Sequence, residues 1–162
     1  MLSAAELSAA GPFALLCALS AALAWIDIRK GIIPDWMNAS IAALGLLKAA
    51  LWNGAPAALD ATLQGIAIGI VIWLLRWLYF RARGVQGLGL GDVKFLAAAG
   101  IWVGIAGFPT LLVIATLTAL CAIGVLLLEG RQLTTRTSLP FGPFLAIALV
   151  VTAALQQLSW CC

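Results

Sequence analysis

The chain contains no histidine, and its 162 residues include only nine Lys or Arg and six Asp or Glu. Without histidine it lacks the commonest metal ligand and the usual general base at neutral pH. Its four cysteines, Cys17, Cys121, Cys161 and Cys162, form no C-x-x-C pair, so no metal or cofactor site is expected. Cys17 and Cys121 lie inside apolar segments as small hydrophobes. Cys161 and Cys162 sit side by side at the end of the sequence, either as an exposed tail or as a cross-linking pair. No basic run is long enough to hold nucleic acid. What fills the chain instead is hydrocarbon, at 64% hydrophobic residues. A soluble domain needs far more polar surface than this, so the sequence describes an integral membrane protein with the lipid bilayer as its partner.

A membrane-crossing helix needs about 20 apolar residues. Apolar segments occur near 11–28, 36–52, 60–80, 92–108, 109–128 and 140–160. The first could be mistaken for a cleaved leader, because Ala22-Leu23-Ala24 looks like a cleavage site. It is preceded by Glu6 and by no Lys or Arg, however, which is wrong for a signal peptide. Pro34 and Asp35 mark the start of the second segment, and Asp35 is expected to cap it. Asn53-Gly54-Ala55-Pro56 reads as a tight loop, and Asp60 as the cap of the third segment. Trp73, Trp77, Tyr79 and Phe80 suit an interfacial belt, where Arg76 can snorkel, as Lys48 can in the second segment. Gly65-x-x-x-Gly69 and Gly100-x-x-x-Gly104 are spacings that permit close helix contact. The expected architecture is an all-α membrane protein, one domain over 1–162 built as a bundle of six transmembrane helices.

Charge placement orients that bundle. Arg29 and Lys30, Arg81 and Arg83, and Arg131 and Arg136 occupy the first, third and fifth loops, while the even loops and both tails carry no Lys or Arg. The positive-inside rule puts the odd loops in the cytoplasm and both termini on the extracytoplasmic side. Asp27, at the end of the first segment, and Asp92, at the start of the fourth, then fall at one membrane depth.

Acids are costly in hydrocarbon, so each is a functional-site candidate. Two carboxylates brought close cannot both ionise cheaply, which leaves one protonated and one charged. The charged member can deprotonate water and the neutral one can protonate a peptide carbonyl. Glycines at 87, 89 and 91 let a substrate backbone approach Asp92. Structural roles stay open at this point: Asp92 could be an N-cap facing Lys94, and Asp27 could pair with Arg29 or Lys30. A small transporter or proton relay using the same acids is the other functional class. It is disfavoured because the acids lie near one face and the sequence shows no internal repeat.

The stretch Gly89-Leu90-Gly91-Asp92-Val93-Lys94 resembles the G-x-G-D motif of membrane aspartyl proteases, and through Gly100 it resembles the type IV prepilin peptidases in particular. Asp27-Ile28-Arg29, followed by Ile33-Pro34, is similar to the segment bearing that family's first catalytic Asp. Pro140-Phe141-Gly142-Pro143 resembles its C-terminal P-F-G-P segment. The resemblance implies a bacterial inner-membrane aspartic endopeptidase that needs no cofactor and works at the cytoplasmic face. Its substrates would be prepilins and pseudopilins, cut after a Gly between a basic leader and a hydrophobic helix. It assigns catalysis to Asp27 and Asp92, turn geometry to Gly89 and Gly91, and framing of the site to Pro140, Phe141, Gly142 and Pro143. Lys94 matches the motif with its role open, headgroup anchoring being one option. Asp35 stands where the family usually has Asn. Larger members add a domain with paired cysteine motifs and are linked to N-methylation. No such motif occurs here, which resembles the short, peptidase-only members of Tad or Flp pilus systems.

Overall fold

The computed structural model describes residues 4–85, 87–129 and 140–159, with backbone alone for 4–10 and 159. It is all helical: α1 (Ala4–Lys30), α2 (Asp35–Arg83), α3 (Leu90–Leu128) and α4 (Gly142–Ser159). Three of these are long and apolar enough to cross a membrane, and α4 is a shorter apolar helix. The six separate membrane helices expected from the sequence are therefore replaced by four helices. The placing of both termini outside, which rested on that count, falls with it.

The physical reason lies in how little a break needs. The expected loop at Asn53-Gly54-Ala55-Pro56 is one residue wide: Gly54 alone leaves helical geometry, with φ 83° and ψ 175°. That region is open essentially to glycine only. Pro56 follows within the next turn, where an amide would lack a helical partner in any case. In α3 the expected boundary at Pro109 is helical, and the break falls upstream at Gly104, with φ 66° and ψ 177°. A proline ring crowds the carbonyl four residues before it, so the disturbance appears one turn earlier, where a glycine can absorb it.

The break at Gly54 folds α2 back on itself. Gly45 and Gly65 both pack against Ile101 of α3, whereas twenty residues of straight helix would separate them by about 30 Å. The two arms of α2 thus embrace the first half of α3, and this is the largest interface between elements. Gly65 approaches the Ala97 carbonyl, and Gly100 comes to rest on Ile68 and the Gly65 backbone.

The core joins all four helices through Leu16 and Leu23, Met37 and Ile41, Phe95 and Leu111, and Leu145 and Leu149, each fully buried. Among the few buried polar contacts, the Trp102 indole N–H donates to the Ile41 carbonyl at 2.8 Å. The Gln156 amide donates to the Val103 carbonyl at 2.8 Å. The outer surface is apolar as well, with Leu74, Leu75, Leu117 and Leu120 half exposed or more, as a lipid-facing surface requires.

Candidate active site

Asp27 lies in the last turn of α1 and is buried, 5% exposed. Its Oδ2 accepts a hydrogen bond from the Gly142 amide at 2.9 Å. Gly142 is the first residue of α4, so a carboxylate at the end of one helix meets the partly positive N-terminus of another. The contact is too tight for a side chain, since a Cβ on Gly142 would stand 2.6 Å from Asp27 Oδ2. Asp27 does not pair with its neighbour Arg29, which instead stacks over the Trp25 ring at 4.3 Å.

Asp92 occupies the first turn of α3, three residues after the N-cap Gly89. Its carboxylate reaches back to the Gly89 amide, the bond an acid at this helix position commonly makes. Gly91 brings α3 against the segment following α1, because its missing Cβ would lie 3.1 Å from that of Ile33. The Asn38 amide of α2 donates to the Gly91 carbonyl at 3.4 Å.

The two acids line one open cleft of about 870 Å³, walled by residues 31–33, the glycine loop 87–91, Pro140 and Phe141. The loop itself is fastened to α2: the Arg76 guanidinium donates to the Leu88 carbonyl at 2.8 Å, and Gly87 lies against the Tyr79 ring.

The remaining sequence expectations divide. Gly89, Gly91, Pro140 and Phe141 line the cleft, and Gly142 holds Asp27. Pro143 lies outside the cleft lining, inside the first turn of α4, and Phe144 packs on Phe141 with ring centroids 6.2 Å apart. Lys94 also lies outside the lining, in an exposed ion pair with Asp35 at 2.7 Å. Asp35 is the first helical residue of α2, and the helix has no side-chain cap, so its expected capping role is replaced by this pairing. Asp60 is not a cap either, because it lies within α2 and accepts from the Gln64 amide at 2.6 Å. Lys48 rests over the Trp102 ring at 5.0 Å, a contact the snorkelling expectation did not include. Arg131, Arg136, Cys161 and Cys162 lie outside the described residues. Arg76 and Asn38, which fasten the glycine turn, were missed as site residues. The available signal was a polar side chain within an otherwise apolar helix. Among the described residues, no group of three or more His, Cys, Asp or Glu could hold a metal.

Fold and cleft together define a helical membrane protein with a two-carboxylate site at one end of its bundle. The chain belongs to the type IV leader peptidase family, whose model matches residues 14–127 and so contains both acids. It is 37% identical over 131 residues to a prepilin leader peptidase/N-methyltransferase of Burkholderia pseudomallei (strain 1026b), covering 81% of this chain and 42% of that protein. A protein of the same name from Pseudomonas aeruginosa is 35% identical over 140 residues, covering 86% and 47%. Another from Dickeya chrysanthemi is 37% identical over 148 residues, covering 90% and 51%. The chain thus spans about half the length of these curated relatives. No solved structure is significantly similar to it.

Proposed function

We propose that residues 1–162 form one peptidase domain of the bacterial inner membrane. It removes the basic leader of prepilins and pseudopilins, cutting after Gly at the cytoplasmic face, with Asp27 and Asp92 as the catalytic pair. The observation that carries this reading is the meeting of two acids, distant in sequence, in one open cleft. The names of the relatives and the family match support the substrate class. The clustering of Arg29, Lys30, Arg81 and Arg83 at the helix ends beside the cleft supports the cytoplasmic orientation.

In this reading one carboxylate is ionised and the other protonated. The ionised member takes a proton from water as its oxygen attacks the scissile carbonyl carbon, and the protonated member gives its proton to the carbonyl oxygen. Collapse of the tetrahedral intermediate breaks the C–N bond: one of its two hydroxyls returns a proton to the acid that protonated the carbonyl oxygen, and the acid that took the water proton passes it to the leaving amine. The Gly142 amide orients Asp27, and the Gly89 amide orients Asp92. The glycine loop leaves room for an extended peptide backbone, while the apolar flank of the bundle receives the hydrophobic helix of the substrate.

The test is processing of a co-expressed prepilin. Asp27→Asn and Asp92→Asn are each expected to lower cleavage by roughly 10²- to 10⁴-fold, the usual worth of a positioned acid or base. Asp60→Asn should leave it intact. Normal processing by either of the first two variants rules out the pair.

A further inference from the structure

At the end of the bundle away from the acids, a second cavity of about 1000 Å³ opens between the arms of α2, the middle of α3 and the end of α4. Phe13, Trp52, Ile101, Trp102 and Leu158 give it largely apolar walls. Two charged side chains also line it, Lys48 and Asp60. They flank the break at Gly54 symmetrically, six residues to either side, so each stands about 9 Å along its own arm.

Opposite charges attract, more strongly where water is scarce, and here Lys48 is half-buried and Asp60 exposed. Yet no ion pair joins these two side chains. Lys48 lies partly buried over the Trp102 ring, and Asp60 is held by Gln64. The cavity therefore presents a cation and an anion that are not paired with each other, among largely apolar walls. A ligand complementary to this arrangement carries both charges in its head and a hydrocarbon tail.

We propose that this cavity binds a zwitterionic phospholipid of the phosphoethanolamine class. The phosphate accepts from the Lys48 ammonium, the lipid's primary ammonium donates to the Asp60 carboxylate, and an acyl chain lies along Trp52, Trp102 and Leu158. A purely anionic headgroup would set like charge against Asp60. A choline headgroup keeps the positive charge but has no N–H to donate. The inference is independent of the role given to Asp27 and Asp92.

The experiment uses the full chain in neutral detergent with added dioleoyl phosphatidylethanolamine, phosphatidylglycerol or phosphatidylcholine. Retained lipid is read by native mass spectrometry, and stabilisation by thermal unfolding. Phosphatidylethanolamine should be retained roughly tenfold over the other two, the worth of one hydrogen bond to a charged group. Lys48→Gln and Asp60→Asn should each erase that preference, while Asp27→Asn should keep it. Preference for phosphatidylglycerol, equal retention of phosphatidylcholine, no retention, or an undiminished preference in both cavity variants overturns the proposal. Should a cavity variant fail to fold by circular dichroism, the lipid ranking of the wild-type chain, and its persistence in Lys48→Arg, decides alone.

Discussion

Asp27 and Asp92 are held from opposite directions, one at the C-terminal end of α1 and the other in the first turn of α3. Each carboxylate is oriented by a backbone amide at a helix start, Gly142 for the first and Gly89 for the second. In the proposed reaction fixed amides suit such a pair, because a misplacement of about 1 Å from a scissile bond can cost about 10²-fold in rate. Gly142→Ala puts a Cβ where it would stand 2.6 Å from Asp27 Oδ2, so the carboxylate must move. The expected result is a fall of about 10²-fold in prepilin cleavage, measured as kcat. Helicity by circular dichroism should be kept, since the change lies at the first residue of α4.

At the scale of elements, the arms of α2 clasp the first half of α3 through glycine contacts, and the clasp positions the turn that bears Asp92. A Cβ at Gly65 would stand 2.5 Å from Ile101 and 2.9 Å from the Ala97 carbonyl. Gly65→Val is expected to destabilise the protein by about 1–3 kcal/mol, the usual cost of overpacking, read by thermal unfolding in detergent. The loop between α2 and α3 depends on Arg76, whose guanidinium holds the Leu88 carbonyl. Arg76→Met should lower kcat by about tenfold, the loss of one hydrogen bond from a charged donor, with little change in KM or unfolding temperature. Arg76→Lys should restore part of the rate. A change in unfolding temperature alone would mark Arg76 as merely structural.

For the whole molecule, one end carries the acids and the basic helix termini, while the other carries the breaks at Gly54 and Gly104. In the proposed orientation, drawn from the positive-inside rule, the acidic end faces the cytoplasm. Ile32, exposed on the rim of the cleft, reports this directly. In a cysteine-free background, Ile32→Cys should react with a membrane-impermeant maleimide in inside-out vesicles and stay unlabelled in intact spheroplasts. The opposite pattern would put the cleft outside and remove the proposed access to prepilin leaders.

Membrane residence, all-helical content and the two acids at helix ends were legible in the residues, because hydrocarbon content and the cost of an acid in it are local properties. The glycine motif around Asp92 was legible too, since its spacing is contiguous. The number of helices was not: a proline or glycine in an apolar run marks a bend but does not say whether the backbone opens into a loop or turns on one residue, as at Gly54 and Gly104. Nor were the partners of Asp35, Lys48 and Arg76, each of which was read from its own segment. Their contacts, with Lys94, Trp102 and Leu88, depend on which surfaces the folded arms bring together. Only the tertiary structure decided them, because such contacts depend on distances in space that local sequence pattern does not encode.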